Sequence, residues 1–122
     1  MKKILITIFC IFAFGANALE KKTTFTKDLF NKAQSEGKVV VISSWIKYCT
    51  SCASQMKALN KLKNEFDNVE YFTFEVTNRD IADFLKVQYQ TTLLIFKDNK
   101  EVHRSIGVTQ KDKIYEVIKS SI

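Results

Sequence analysis

Residues 39–52 read VVVISSWIKYCTSC, a strand pattern followed by two closely spaced cysteines. Val39 to Ile42 is a continuous β-branched run, which is typical of a strand buried on both faces of a sheet. Cys49 and Cys52 follow it after residues 43–48, in a Cys-x-x-Cys pattern. Such a pair can exchange electrons, supply half of a metal site or form a structural crosslink.

The cysteine pair is expected to open a helix. Met56, Leu59, Leu62 and Phe66 recur at helical spacing with polar residues between them, which predicts a helix from Cys49 to Phe66. The strand therefore leads into the cysteines, and the cysteines lead into a helix.

The remaining pattern predicts alternating helices and strands. Thr26 can cap a first helix that ends near Gly37, Asn78 or Thr77 can cap a short third helix, and Thr109 can cap the last one. Further strands are predicted at residues 69–76, 92–96 and 101–106, the last two as a hairpin, with a possible short strand near residues 22–25. This order predicts an α/β fold with a central mixed sheet of four to five strands and helices on both faces.

The first 18 residues have the pattern of a secretory signal peptide. A positive start at residues 1–3 precedes an apolar run at residues 4–14, and residues 15–18 read GANA, an Ala-x-Ala cleavage pattern. We expect cleavage after Ala18, an exported, periplasmic protein, and one mature domain at residues 19–122. The alternative is an uncleaved N-terminal membrane anchor. Cys10 lies inside the apolar run and is expected to leave with the signal.

The composition of the chain argues against nucleic-acid binding, a structural crosslink and a structural metal site. The net charge of +6 comes from basic residues interleaved along the chain with acidic ones, which does not favour nucleic-acid binding. A crosslink between Cys49 and Cys52 closes too short a loop to stabilise the fold much. A zinc site needs four ligands, and His103 is the one histidine, on a predicted surface strand. No structural metal is predicted.

With these residues in order, the sequence resembles the thioredoxin family over essentially all of residues 19–122. Trp45 stands four residues before Cys49, Tyr48 takes the aromatic position just ahead of it, and Gly107 precedes the last helix. Residues 91–101, TTLLIFKDNKE, resemble the family's Pro-Thr-Leu strand and turn. The resemblance is closest to exported bacterial disulfide-exchange domains and implies a thioredoxin-like fold.

Three positions depart from the family pattern. The family's cis-proline is Thr91, its buried carboxylate is Ser43, and the cation that often follows the second cysteine is Ala53. A cis bond before a residue other than proline costs about 2.5–4 kcal/mol, so we expect a trans Gln90–Thr91 bond. Ser43 is expected to be a satisfied buried hydroxyl, so that proton transfer uses water or another group.

The resemblance implies a thiol:disulfide oxidoreductase that uses its own Cys49–Cys52 disulfide and no cofactor. Cys49, at a helix N-terminus that favours a thiolate, would attack a substrate disulfide, and Cys52 would resolve the mixed disulfide. The expected substrate-binding residues are Trp45, Tyr48, Thr50, Ser51, Gln90 and Thr91, with Thr91 offering backbone hydrogen bonds to an extended segment. The expected partners are protein thiols or disulfides and a membrane electron donor, and the protein is expected to be a monomer.

Redox direction and substrate stay open at this level. The uncharged Thr50-Ser51 pair between the cysteines favours a reductant or isomerase-type partner over a strong oxidant. The substrate could be misfolded proteins in general, apocytochrome c cysteines or one dedicated partner. The alternatives are a non-enzymatic thioredoxin-fold binding module and a copper or iron–sulfur handling protein.

Overall fold

The computed structural model describes residues 19–122, so the expected signal peptide lies outside the described residues. The helices are α1 (Lys27–Ser35), α2 (Thr50–Leu62), α3 (Arg79–Leu85) and α4 (Lys111–Ser121). The strands are β1 (Val39–Trp45), β2 (Val69–Glu75), β3 (Thr92–Lys97) and β4 (Lys100–Ile106). The alternation predicted from the sequence is confirmed.

The four strands form one mixed sheet in the order β2-β1-β3-β4. Strand β1 pairs parallel to β2 and antiparallel to β3, and β3 forms an antiparallel hairpin with β4. Asp98 and Asn99, in the hairpin turn, both have positive φ, as expected for a tight turn that follows the twist of the strands. Strand β1 is thus central and is covered on both faces.

Side-chain alternation along β1 explains its unbroken apolar run. Val40 and Ile42 belong to a core cluster on the face shared with Phe30 of α1 and Leu85 of α3. Val39 and Val41 point to the opposite face, in a second cluster with Leu59 of α2 and with Ile114 and Ile118 of α4. Because both faces of the sheet are covered here, both sets of alternate side chains are apolar from Val39 to Ile42.

Helix boundaries follow local capping. The Thr26 side chain accepts a hydrogen bond from the Leu29 N–H at the start of α1, and Asn78 does the same for Ile81 at the start of α3, as predicted. Gly37 follows α1 with φ of 76°, a left-handed conformation that glycine adopts without a Cβ clash.

Three predicted details are wrong. Helix α2 ends at Leu62 instead of Phe66. Gln110 precedes α4 and makes no side-chain capping bond, so Thr109 is not its cap. The possible strand near residues 22–25 does not form. That segment instead lies along β2, where the Thr24 N–H donates to the Thr73 carbonyl at 2.9 Å and the Thr73 N–H donates to the Thr24 hydroxyl at 2.9 Å.

Within residues 19–122, no helix is both long enough and apolar enough to cross a membrane.

Candidate active site

The cysteine pair lies where β1 gives way to α2. Strand β1 ends at Trp45 and α2 begins at Thr50, so Cys49 is the residue that caps the helix. Its sulfur accepts the N–H of Cys52 at 3.1 Å, and the two cysteines are joined by a disulfide with Cα atoms 5.3 Å apart. The sulfur of Cys49 therefore takes the place of a capping oxygen, at the helix end where unpaired N–H groups favour negative charge.

The two sulfurs differ in access. Cys49 is half-buried, whereas Cys52 is fully buried, with 0% of its surface exposed. An external thiol or disulfide can therefore meet Cys49, while Cys52 can react only with a sulfur already held at the site. This asymmetry matches the roles of attacking and resolving cysteine.

Thr91, the residue before β3, faces both sulfurs through its hydroxyl. The Thr91 Oγ1 lies 3.2 Å from Cys52 Sγ and 3.6 Å from Cys49 Sγ. It also lies 2.9 Å from the hydroxyl of Ser51, which is exposed on the first turn of α2. The structure thus brings two predicted site residues, Ser51 and Thr91, into hydrogen-bond contact beside the disulfide.

The backbone groups of Thr91 are hydrogen-bonded within the protein. Its N–H donates to the Ser44 carbonyl at 2.9 Å, and its carbonyl accepts from the Gly107 N–H at 2.9 Å. The Gln55 side-chain amide also donates to that carbonyl, at 3.4 Å. Thr91 is buried, and these bonds satisfy its backbone groups within the protein. Docking of an extended substrate by these groups stays a prediction.

Thr91 holds an unusual backbone conformation. No peptide bond between residues 19 and 122 is cis, so the Gln90–Thr91 bond is trans, as predicted. The φ angle of Thr91 is 59°, in the left-handed region that a β-branched residue rarely enters. Such a conformation costs on the order of 1–3 kcal/mol. Its hydrogen bonds to the neighbouring strands and to Gln55 hold it there.

A buried polar pair occupies the space behind the cysteines. Ser43 and Gln55 are both fully buried, and the Ser43 hydroxyl donates to Gln55 Oε1 at 2.5 Å. The Gln55 Nε2 donates to the Val108 carbonyl at 2.8 Å. Ser43 is therefore a satisfied hydroxyl, as predicted. Sequence reasoning missed Gln55, although a polar residue within the apolar face formed by Cys52, Met56 and Leu59 was a usable signal.

The other predicted site residues, Trp45, Tyr48, Thr50 and Gln90, are partly or fully exposed. Trp45 is half-buried, and its indole N–H donates to the Lys22 carbonyl at 3.3 Å. Tyr48 is 87% exposed, with φ of 64° and the Lys47 ammonium 5.4 Å from its ring centre. Thr50 and Gln90 are exposed. Thr50 adjoins Cys49 in the chain, and Gln90 adjoins Thr91, whose hydroxyl contacts Cys49 Sγ.

His103 lies on β4, away from the cysteines in sequence and on the edge strand of the sheet. Its ring nitrogen Nε2 is 2.9 Å from the Ser105 hydroxyl. Partial burial lowers the pKa of His103, and the nearby Glu101 carboxylate opposes that shift. Across residues 19–122, no group of three or more His, Cys, Asp or Glu side chains is arranged to hold a metal ion.

Comparisons with known proteins agree with this geometry. The Thioredoxin family model matches residues 19–120. A thioredoxin H-type from Fagopyrum esculentum is 27% identical over 72% of this chain and 77% of its own length. A thioredoxin from Chlamydia trachomatis is 30% identical over 66% of this chain and 79% of its own length. The crystal structure of Trxlp from Edwardsiella tarda superimposes with a TM-score of 0.72, covering 76% of this chain and 93% of that one at 23% identity.

Proposed function

The chain belongs to the thioredoxin family, and from this premise we propose that it is an exported reductase of protein disulfides. Its activity class is that of the family: a thiol:disulfide oxidoreductase that acts on protein disulfides through its own Cys-x-x-Cys pair, without a cofactor. The location of the protein and the direction of electron flow are the parts that we propose.

The observation that carries the proposal is the unequal access of the two sulfurs at the start of α2. In the reduced protein, the Cys49 thiolate attacks a substrate disulfide, forms a mixed disulfide and releases one substrate thiolate. The Cys52 sulfur then attacks Cys49 Sγ, which re-forms the Cys49–Cys52 bond and releases the second substrate thiolate. Two electrons pass to the substrate, and the two cysteines are oxidised.

The reducing direction is supported by the neutral surroundings of Cys49. Its sulfur contacts the Ser51 hydroxyl at 3.3 Å, the Thr91 hydroxyl at 3.6 Å and the Cys52 N–H at 3.1 Å. Neutral donors stabilise a thiolate less than charged donors do. Strong oxidants owe their potential to a strongly stabilised reduced form, so these contacts favour a reductant or isomerase-type partner.

Export is supported by the sequence of residues 1–18, with its positive start, apolar run and Ala-x-Ala end. An exported reductase must be re-reduced outside the cytoplasm, and we propose a membrane thiol donor for that step and a monomeric working form. Edman sequencing of the protein recovered from a periplasmic fraction should begin at Leu19. Full-length protein recovered in the membrane fraction would support an uncleaved anchor instead.

Insulin reduction tests the activity, with Cys49→Ser and Cys52→Ser as paired variants. The parent should precipitate insulin chains in the presence of a thiol donor, and Cys49→Ser should be inactive. Cys52→Ser should retain a mixed disulfide with its substrate, which mass spectrometry can identify. A parent that is inactive in its reduced form would instead indicate a binding module.

The redox potential tests the direction. Equilibration with glutathione buffers should give a value nearer to the roughly −270 mV of thioredoxin than to the roughly −120 mV of strong periplasmic oxidants. A value near the latter would reverse the proposed electron flow while leaving the exchange activity intact.

A further inference from the structure

Buried Cys52 needs a route for its proton. When Cys52 resolves the mixed disulfide, its thiol must lose a proton, because the thiolate is the attacking form. A free cysteine thiol is mostly protonated at neutral pH. Cys52 has no exposed surface, so solvent cannot take this proton directly.

The described core offers no carboxylate to receive it. The buried polar residues within residues 19–122 are Ser43, Ser44, Gln55, Thr73, Thr91 and Thr92. Ser43 and Gln55 lie behind the site but bond to each other, and the Gln55 amide directs its hydrogens to the Val108 and Thr91 carbonyls. Neither is a titratable group, so this pair does not serve as a base.

A hydroxyl pair leads from Cys52 to the surface. Thr91 Oγ1 is 3.2 Å from Cys52 Sγ, and Ser51 Oγ is 2.9 Å from Thr91 Oγ1. Thr91 is buried, whereas Ser51 is exposed. The two contacts therefore connect a fully buried sulfur to the hydroxyl of a residue that is exposed to solvent.

The backbone of Thr91 fixes this route. The left-handed φ of 59° is held by bonds from its N–H to Ser44 and from Gly107 and Gln55 to its carbonyl. With the backbone committed to the sheet, the hydroxyl is the polar group that Thr91 presents to the sulfurs. Its position does not depend on a substrate being bound.

We propose that Thr91 and Ser51 form a proton relay for Cys52, an inference that rests on the proposed function. As the Cys52 sulfur bonds to Cys49 Sγ, its proton passes to Thr91 Oγ1. The Thr91 hydroxyl proton passes to Ser51 Oγ, and the Ser51 proton passes to water, while the substrate thiolate leaves with the electron pair of the broken S–S bond. Each hydroxyl ends the step with one proton, and solvent gains one. The relay runs in reverse when a substrate dithiol is oxidised.

Stopped-flow reaction of the reduced protein with dithiobis(nitrobenzoate), in a Cys10→Ser background that leaves Cys49 and Cys52 as the two thiols of the sequence, separates the two chemical steps. Attack by Cys49 releases the first aryl thiolate at a rate proportional to reagent concentration. Attack by Cys52 on the resulting mixed disulfide releases the second at a rate independent of reagent concentration. The first phase reports the proposed exchange activity, and the second reports the relay.

Thr91→Val keeps the branched shape and removes the hydroxyl. We expect it to slow the second phase at neutral pH by about a hundredfold, the lower end of the usual contribution of a proton-transfer group. Thr91→Ser should retain the rate of the parent. Ser51→Ala should slow the second phase as well, while the matched control Ser54→Ala, exposed on the same helix, should not. Because Ser51 and Ser54 both lie at the surface, this pair tests the route even if Thr91→Val does not fold.

The pH profile distinguishes proton transfer from a structural role. Cys49 is the titratable group in contact with Cys52 among the described residues, and the neighbouring polar groups on β1, α2 and β3 are neutral. The slowed variants should approach the parent rate at alkaline pH, where hydroxide takes the proton. A slowing that is equal at every pH, or a second phase that is unchanged in Thr91→Val, would overturn the relay. A parent that lacks the first phase would instead overturn the proposed function.

Discussion

Removal of the buried Ser43–Gln55 hydrogen bond should have strongly non-additive effects on stability. Both side chains are fully buried, and their contact of 2.5 Å satisfies the Ser43 donor and the Gln55 acceptor together. Ser43→Ala leaves Gln55 Oε1 without its donor. Gln55→Leu leaves the Ser43 hydroxyl without its acceptor and removes the donor to the Val108 carbonyl.

The magnitudes follow from the cost of an unsatisfied buried polar group, about 1–3 kcal/mol. Each single variant should lower the free energy of unfolding by an amount in this range, with Gln55→Leu partly offset by its added apolar surface. In the double variant neither the Ser43 hydroxyl nor Gln55 Oε1 remains to be left unpaired. The Val108 carbonyl still lacks its donor, so the double variant should stay less stable than the parent. The double variant should nevertheless be more stable than at least one single variant, with a coupling energy of about 1–3 kcal/mol.

Urea unfolding of the oxidised proteins, followed by the fluorescence of Trp45, the only tryptophan in the sequence, measures all four members of the cycle. Thermal unfolding gives a second reading, at roughly 4–8 °C for each kcal/mol in a domain of this size. Ser54→Ala serves as the surface control and should stay within about 0.5 kcal/mol of the parent. If the two single effects simply add in the double variant, to within about 0.5 kcal/mol, the paired role of these residues is refuted.

Three further substitutions follow from individual contacts. The Tyr71 hydroxyl is buried without a hydrogen-bond partner among the described residues, and burial raises the pKa of Tyr71 to about 12. Tyr71→Phe should therefore raise the free energy of unfolding by about 1 kcal/mol. A lower free energy of unfolding in urea would mean that the hydroxyl has a hydrogen-bond partner. Lys86 ends α3 with φ of 57°, so Lys86→Gly should add about 0.5–1 kcal/mol by thermal unfolding while Lys86→Ala, which keeps the strain, should not. Burial lowers the pKa of His103 in the folded state, so the unfolded chain binds more protons and stability should fall as pH drops through about 6.5. Between pH 7.5 and pH 5.5 the urea midpoint should fall less in His103→Gln than in the parent. An equal fall in both proteins would mean that other groups cause the loss of stability.

The elements of the fold were predictable because their signals are local. The run from Val39 to Ile42 indicated a strand buried on both faces, and the apolar spacing in α2 indicated its buried side. The errors arose where tertiary contacts determine whether a segment becomes a strand. Residues 22–25 have strand-like composition, but Thr24 bonds to Thr73 without continuing a ladder.

The cysteine site was predictable in part. The motif and its placement between strand and helix indicated a redox pair at Cys49 and Cys52, which the structure joins by a disulfide at the start of α2. The substrate-binding roles stay predictions. The motif did not identify the role of Gln55, because a glutamine is mostly exposed in proteins, and its position on the face of Cys52, Met56 and Leu59 was not used. Nor did it give the conformation of Thr91, because a left-handed φ at a β-branched residue is disfavoured locally and is stabilised here by bonds to Ser44, Gly107 and Gln55.

The left-handed Thr91 also bears on how this chain could have diverged from its relatives. Proline fixes φ near −65° and has no N–H, whereas Thr91 has φ of 59° and donates its N–H to Ser44. Thr91→Pro would therefore require the loop to change its backbone conformation and would orphan the Ser44 carbonyl, so it would not restore the common family site in one step. A proline at position 91 would therefore be compatible with the fold only together with further changes in the loop that now holds the Thr91 N–H against Ser44.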